Sequence, residues 1–172
     1  MDLFLLRHGE TDENTQGIIQ GWMNTDLNEH GREQAQQAAE IFSEEIDAIY
    51  SSDLKRAVQT AGEFRKKYPT LPYFEDERLR ERNFGDATGD HRDQHDLVLF
   101  RSLTDTTSIP NAETLNQYTQ RVQPFVEMLK LSGYKKVLVI THEGTINRIQ
   151  ALADEGRLDA THTNASVTHV VI

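Results

Sequence analysis

Two apolar segments of the chain run directly into a histidine. LFLL is followed by Arg7 and His8, and VLVI is followed by Thr141 and His142. Such runs are typical of buried strands, and ligands bind to open α/β sheets at the carboxyl ends of the strands. If the two strands are neighbours, both imidazoles share one crevice. A neutral imidazole in that crevice is nucleophilic near neutral pH.

A third strand end adds a cation to this group. The segment AIYSSDLKR places Arg56 in the first turn of a predicted helix, where backbone N–H groups already favour an anion. With Arg7 and the two histidines, Arg56 indicates a pocket for a tetrahedral dianion such as phosphate, because guanidinium groups form forked hydrogen bonds to oxyanions. Each residue alone has an ordinary explanation, as a satisfied histidine or a surface ion pair. Their combination favours the anion pocket.

Strands and helices alternate along the chain and must position these residues. Apolar runs predict strands over residues 3–7, 46–51, 72–75, 135–141 and 166–172. Helical spacing predicts helices over residues 28–42, 52–68, 112–131 and 144–153, with Ser52 or Asp53 capping the second and Pro124 kinking the third. Residues 79–111 are polar and irregular, with one short helix near 91–100. This alternation predicts an α/β fold whose mostly parallel sheet is covered on both faces.

Composition narrows the class of protein. The chain of 172 residues is 37% hydrophobic and has the size of a single domain. Its formal net charge of −10 argues against a protein that tracks nucleic-acid phosphates. It contains no cysteine, which excludes disulfides, thiolate metal sites and cysteine nucleophiles. We find no signal peptide and no membrane-length apolar segment, so we expect a cytoplasmic protein without a membrane partner.

Five ordered blocks of sequence resemble the histidine phosphatase superfamily, also called the phosphoglycerate mutase-like family. They are LRHGET, GWMNTDLNEHGREQA, SSDLKRAVQTA, LRERNFGDATG and VITHEGTINR, and NASVT is similar to the closing strand of that family. The blocks span nearly the whole chain. The resemblance implies a three-layer α/β/α sandwich, and we expect one domain over residues 1–172 with a short polar insertion at about 85–111 near the active-site entrance.

The resemblance also implies a reaction and the residues that perform it. The roles are His8 as the nucleophile, Glu81 as the general acid and base, Arg7, Arg56, His142 and Asn14 as ligands of the phosphoryl oxygens, and Gln20 and Gly21 near the leaving group. The expected enzyme is a phosphoric monoester hydrolase of the histidine acid phosphatase type, which acts on a small phosphorylated metabolite. It needs no cofactor and no metal, because two arginines and His142 take the place of a cation. Without the resemblance, Glu81 would be interpreted as a surface carboxylate paired with Arg80 or Arg82.

Three positions depart from the pattern of that family. Glu143 stands after the second histidine where glycine is common, Asn24 where aspartate is frequent, and Ala112 where glycine is common. A carboxylate beside His142 could repel phosphate, or it could point away and raise the pKa of His142. These departures bear on the substrate more than on the chemistry.

Other interpretations remain open at this point. His91 and His95 lie one helical turn apart, as metal ligands can, but no third ligand is evident nearby, so we expect them to be solvated or to line the substrate entrance. A mutase would carry a long insertion that excludes water, whereas residues 85–111 are short and polar, so hydrolysis is favoured. The alternatives are mutase-type phosphoryl transfer and a non-catalytic phosphate-binding module. Sugar phosphates, phosphoglycerates, nucleoside monophosphates and phosphoproteins all fit as substrates.

Overall fold

The computed structural model describes residues 1–95, 109–153 and 161–172. The strands are β1 (Asp2–Arg7), β2 (Ala48–Ser51), β3 (Tyr73–Glu75), β4 (Lys136–Thr141) and β5 (Val167–Val171). They form one sheet in the order β3–β2–β4–β1–β5. Every pairing between β1 and β4, β4 and β2, or β2 and β3 is parallel, and β5 alone of these strands runs antiparallel, against β1. The prediction of a mostly parallel sheet is confirmed.

The helices in the described ranges are α1 (Asp12–Thr15), α2 (Glu29–Ile41), α3 (Lys55–Lys67), α4 (Leu115–Leu131) and α5 (Glu143–Ala153). Short 3₁₀ turns cover Glu77–Leu79, Gly85–Ala87 and Arg92–Gln94. None of the helices in these ranges is both long and apolar enough to cross a membrane.

The helices cover both faces of the sheet because side chains alternate along each strand. Leu3 and Leu5 of β1 point to a core shared with α4 and α5. Phe4 and Leu6 point to a second core, shared with α2 and α3. All four side chains are buried, as expected for a strand covered on both sides. The structure is therefore the predicted three-layer α/β/α sandwich.

The helix boundaries differ from the prediction where a side chain has another partner. α3 begins at Lys55, its N-cap position is Leu54, and no side chain caps it, so the predicted cap at Ser52 or Asp53 is wrong. The reason is that the Asp53 carboxylate accepts a hydrogen bond from Nε of Arg80 at 2.8 Å. α4 begins three residues later than predicted, because Thr114 and Gln117 form a capping box.

The polar insertion is described only at its ends. Residues 85–95 contain two 3₁₀ turns, and the predicted short helix near 91–100 is represented there by the turn Arg92–Gln94. Residues 96–108, which include Phe100 and Arg101, lie outside the described residues. That the insertion adjoins the active-site entrance therefore stays a prediction.

Candidate active site

His8 and His142 lie side by side because β1 and β4 are hydrogen-bonded neighbours. Arg7 is opposite Thr141 in the parallel register, and the backbone N–H of His8 donates to the Thr141 carbonyl over 3.0 Å. The centroids of the two imidazole rings are 5.1 Å apart, and both side chains are buried. The two strands are therefore neighbours, as expected, although His142 is not among the described residues that line the cavity beside His8.

The contacts of His8 determine which of its ring nitrogens carries the proton. Nδ1 lies 2.7 Å from the carbonyl oxygen of Gly9, which can only accept a hydrogen bond. Nε2 lies 3.2 Å from Nε of Arg56, which can only donate one. Both contacts require a neutral imidazole with its proton on Nδ1. The lone pair that a nucleophile needs is therefore on Nε2.

Both imidazoles are held in the neutral state. Burial lowers the pKa of His8 well below its ordinary value, and the charges of Arg56 and Arg7 lower it further. Burial, followed by the charge of Arg56, lowers the pKa of His142 in the same way. Of the two alternatives for Glu143, the one in which it raises the pKa of His142 is wrong, because burial and the nearby arginines dominate and the Glu143 carboxylate pairs with Arg7.

His142 has hydrogen-bonding capacity that the described residues do not use. Neither of its ring nitrogens has a partner among them, although both atoms are buried. A buried polar group without a partner costs about 1–3 kcal/mol, so such groups are uncommon unless they serve a ligand. A neutral imidazole carries one N–H, which can donate to an oxyanion beside His8.

Arg56, the second residue of α3, is a fixed cation in contact with His8. Its Nη2 donates to the carbonyl of Gly21 over 2.9 Å, and its Nη1 donates to that of Met23 over 2.7 Å. Gly21 has a φ of 47°, a conformation that glycine adopts without steric cost. Burial lowers the pKa of Arg56 to about 10, so it remains protonated at neutral pH. Gly21, predicted near the leaving group, thus orients Arg56 and also lines the cavity.

Arg7, the last residue of β1, has a guanidinium group that the described residues satisfy only in part. Its Nη1 donates to the carbonyl of His162 and lies 3.0 Å from Oε2 of Glu143. Its Nε is buried and has no partner in the described part of the chain. Arg7 lines the cavity beside His8, so its unsatisfied donor is available to an anion there.

Glu81 is held at the cavity by donors from three directions. Oε1 accepts from the backbone N–H of Arg82 at 2.9 Å and from the Tyr118 hydroxyl at 3.1 Å. Oε2 accepts from the backbone N–H of Gly144, in the first turn of α5, at 3.2 Å. A carboxyl group fixed in this way can present a proton to one side of a ligand in the cavity.

The backbone of Glu81 is held as firmly as its side chain. Its carbonyl accepts from Nε1 of Trp22 at 2.7 Å and from Nη2 of Arg121 at 3.1 Å. Arg80 pairs with Asp53, so the interpretation of Glu81 as the surface partner of Arg80 is wrong. Apart from its neighbour Arg82, the residues that contact Glu81 are Trp22, Tyr118 and Arg121 of α4, and Gly144 of α5, so three distant segments converge on it.

Asn14 and Gln20, the other predicted residues, also line the cavity. Oδ1 of Asn14 accepts from the N–H and the hydroxyl of Thr11, both at 3.2 Å. Oε1 of Gln20 accepts from the hydroxyl of Thr25 at 2.6 Å. Because both side-chain oxygens are occupied, the two amide NH₂ groups, which can only donate, are the parts suited to an anionic ligand.

Asn164 contacts two residues of this site, although it does not line the cavity and the sequence interpretation did not include it among the site residues. Its Nδ2 donates to the backbone carbonyl of His8 at 3.0 Å and to Oδ1 of Asn14 at 3.4 Å. The segment NASVT had suggested only a closing strand. In the structure, Ala165 has a φ of 56°, and its N–H donates to the carbonyl of Arg7. This turn ties the end of β1 to the C-terminal segment.

Seven of the eight predicted site residues line a cavity of about 220 Å³, namely Arg7, His8, Asn14, Gln20, Gly21, Arg56 and Glu81, whereas His142 lies behind them, in contact with His8. The cavity wall also includes three arginines and four apolar side chains that were not predicted to contribute, namely Arg82, Arg92, Arg148, Ile18, Ile19, Phe84 and Leu115. Nε of Arg148 is buried without a partner among the described residues. Arg148 is the last residue of the fifth family-like block, VITHEGTINR, so its place in that block was the available signal.

His91 and His95 have local partners instead of a shared one. Nδ1 of His91 accepts from the backbone N–H of Asp93 at 3.2 Å, and Nε2 of His95 lies 2.8 Å from Oδ2 of Asp90. No group of three or more potential metal-ligating side chains occurs within residues 1–95, 109–153 and 161–172. Neither histidine is among the described residues that line the cavity.

Comparison with known proteins identifies the family. The chain belongs to branch 1 of the histidine phosphatase superfamily, whose family model matches residues 3–172. It is 32% identical over 179 residues to the metal-independent phosphoserine phosphatase of Arabidopsis thaliana, covering 98% of this chain and 75% of that protein. It is 35% identical over 159 residues to phosphoglycerate mutase-like protein 4 of the same plant, covering 86% of this chain and 69% of that protein.

A solved structure gives the same result. Mycobacterial glucosyl-3-phosphoglycerate phosphatase, in complex with VO₃, matches this structure with a TM-score of 0.87 and 30% sequence identity, over 98% of this chain and 91% of that chain. Family and fold together define an enzyme that acts on phosphate groups, as a phosphatase or a phosphoryl-transfer enzyme. The predicted family and fold are confirmed.

Proposed function

We propose that this chain is a metal-independent phosphomonoester hydrolase that acts through a phosphohistidine on His8. The observation that carries this proposal is the state of His8: a buried, neutral imidazole with its proton on Nδ1 and its lone pair on Nε2. The unpartnered nitrogens of His142 and the unpartnered Nε of Arg7 support a phosphoryl group beside that lone pair. Cytoplasmic location also stays a prediction.

In the first step, Nε2 of His8 attacks phosphorus in line and the ester P–O bond breaks. Arg7, Arg56 and His142 donate to the phosphoryl oxygens, where charge accumulates in the transition state. The departing alkoxide takes a proton from the carboxylic acid of Glu81. Nδ1–H of His8 stays hydrogen-bonded to the Gly9 carbonyl, which stabilises the positive charge that the ring gains.

In the second step, the Glu81 carboxylate takes a proton from a water molecule that attacks phosphorus, and the N–P bond breaks. Inorganic phosphate leaves, and His8 returns to its neutral state. Arginine and histidine donors supply the stabilisation that a metal ion supplies in other phosphatases, so the proposed reaction needs no metal. The net reaction converts a phosphomonoester and water into an alcohol and phosphate.

The test is hydrolysis of p-nitrophenyl phosphate in excess EDTA, from mildly acidic to neutral pH. We expect turnover by the wild type and its loss in His8→Ala, while inorganic phosphate still binds to that variant because the arginines remain. His30→Ala is the matched control, since the His30 side chain is 62% exposed on α2 and away from the cavity.

Other outcomes would reject parts of the proposal. Turnover by His8→Ala would remove His8 as the nucleophile, and loss of activity in EDTA would contradict metal independence. Phosphate binding without turnover of any phosphomonoester would indicate a binding module. Transfer of the phosphoryl group to an added alcohol instead of water would indicate a mutase. A substrate screen begins with phosphoserine and phosphoglycerate esters, for which relatives are named.

A further inference from the structure

Glu143 is an unusual residue for its position. It is the first residue of α5, directly after His142, and it lines the cavity. Apart from Glu81, it is the sole carboxylate in the described cavity wall. A negative charge next to a phosphate pocket opposes anion binding unless it is matched by a nearby cation. Oε2 of Glu143 lies 3.0 Å from Nη1 of Arg7, so that match exists.

The contact occupies one particular end of the Arg7 guanidinium. Nη1 faces two acceptors, the carbonyl of His162 and the carboxylate of Glu143. Nε, by contrast, is buried without a partner in the described ranges. In a planar guanidinium, Nε–H and one N–H of Nη2 point in the same direction and form the edge that holds two oxygens of a phosphate. The two acceptors therefore leave this edge unused.

From this geometry we infer that Glu143 is a positioning residue, which holds Arg7 by its Nη1 end so that the Nε–Nη2 edge is presented to the phosphoryl group. The inference rests on the proposed function, in which Arg7 binds phosphoryl oxygens. An arginine side chain has several rotatable bonds, and fixing it before the ligand arrives lowers the entropy lost on binding. The N-terminus of α5 also favours a carboxylate at its first residue.

A role for Glu143 as a competitor of phosphate would change the affinity for phosphate in the opposite direction. If Glu143 competed with phosphate for Arg7, removal of its carboxylate would free the guanidinium and tighten phosphate binding. If Glu143 holds Arg7, removal lets the guanidinium move and weakens binding. The affinity for inorganic phosphate therefore separates the two roles without any need for turnover.

The experiment measures the dissociation constant of inorganic phosphate by calorimetry. We expect Glu143→Ala to weaken binding about tenfold, the usual size of one charge-assisted hydrogen bond. Glu143→Gln retains an oxygen that can accept from Nη1, so we expect its affinity to stay within about threefold of the wild type. Glu143→Asp keeps the charge on a shorter side chain, and we expect it to weaken binding at least about threefold.

A matched control removes a carboxylate from the same position of another helix. Glu29 is the first residue of α2, is exposed and does not line the cavity. Glu29→Ala is expected to leave the affinity for phosphate unchanged. A thermal melt of each variant records any loss of stability separately.

A double-mutant cycle shows whether Glu143 acts through Arg7. In an Arg7→Ala background the Glu143 carboxylate is no longer matched by that cation, so Glu143→Ala should leave the affinity for phosphate unchanged or raise it. The inference is overturned if Glu143→Ala binds phosphate as tightly as the wild type or more tightly, or if its full loss persists without Arg7. A protein that binds phosphate in this pattern but hydrolyses no phosphomonoester would reject the proposed function and leave the role of Glu143 standing.

Discussion

Nε of Arg56 donates to Nε2 of His8 across 3.2 Å, so the lone pair assigned to nucleophilic attack is already hydrogen-bonded in the free protein. Nη1 and Nη2 of Arg56 remain bound to backbone carbonyls. Only the Nε contact has to change when phosphorus approaches His8. Nε–H of Arg56 can then donate to a phosphoryl oxygen instead of the imidazole, while Nη1 and Nη2 stay bound to their carbonyls.

This anchoring predicts that lysine cannot replace Arg56. Arg56→Lys keeps the charge but loses the planar group that contacts His8, Gly21 and Met23 together, so we expect kcat/KM for p-nitrophenyl phosphate to fall at least about a hundredfold. Lys55→Ala, at the exposed neighbouring position, should stay within about twofold of the wild type. Near-normal activity of Arg56→Lys would mean that charge alone is needed there.

Glu81 should matter most for substrates whose leaving group needs a proton. Glu81→Gln keeps the shape of the side chain and removes the transferable proton. We expect it to slow hydrolysis of alkyl phosphates about a hundredfold or more, and hydrolysis of p-nitrophenyl phosphate much less. The measurement is kcat/KM across a series of leaving-group pKa values. An equal loss for all members of the series would show that Glu81 is not the acid.

Gly144 tests the position of Glu81 without changing Glu81 itself. A Cβ at residue 144 would lie 2.4 Å from Oε1 of Glu81, so Gly144→Ala must displace the carboxylate. We expect the same dependence on the leaving group as in Glu81→Gln. Gly62→Ala is the control, because a Cβ there meets nothing within 4 Å. A Gly144→Ala enzyme with the leaving-group dependence of the wild type would separate Glu81 from the chemistry.

The two neutral histidines predict how stability depends on pH. The folded pKa values of His8 and His142 lie well below the unfolded value of about 6.5. Their contribution to stability is therefore complete above about pH 6.5 and is lost as the pH falls toward the folded pKa values. For each unit by which the pH falls in that range, each histidine lowers the free energy of unfolding by at most about 1.4 kcal/mol.

The measurement is urea unfolding between about pH 7.5 and 5.5 in buffer without phosphate. His142→Gln should show a shallower loss of stability below about pH 6.5 than the wild type, whereas the exposed His30→Gln should keep the wild-type slope. Identical slopes in all three proteins would mean that His142 takes up its proton without difficulty in the folded state.

The sequence predicted the fold well where one periodicity dominated. The unbroken apolar run of β4 and the buried face of α3, with Ala57, Thr60, Ala61 and Phe64, could each be interpreted without knowledge of the rest of the chain. The start of α3 could not, because the ion pair between Asp53 and Arg80 forms only after distant segments meet.

The residues of the candidate site likewise divide into those that a local pattern predicts and those that it does not. The histidines were predictable because each ends an apolar run. Tyr118, whose hydroxyl contacts Glu81, lies on the apolar face of α4 with Val122 and Phe125 and has the pattern of an ordinary core residue. Asn164 contacts the carbonyl of His8 from the far end of the chain, a relation that no local pattern contains. The catalytic roles themselves stay predictions until they are measured.

The pairing of β1 with β4 has a consequence for folding during synthesis. His8 leaves the ribosome well before its neighbour His142 and the helix that starts beside it are made, because the two histidines lie far apart in the sequence. Contacts between such distant segments form slowly, because a long loop must close before they contribute. A nascent chain that ends before β4 therefore lacks the anion pocket, and the first molecule able to bind phosphate is one whose central strands have already paired. Phosphate or vanadate added during translation would stabilise only that completed state.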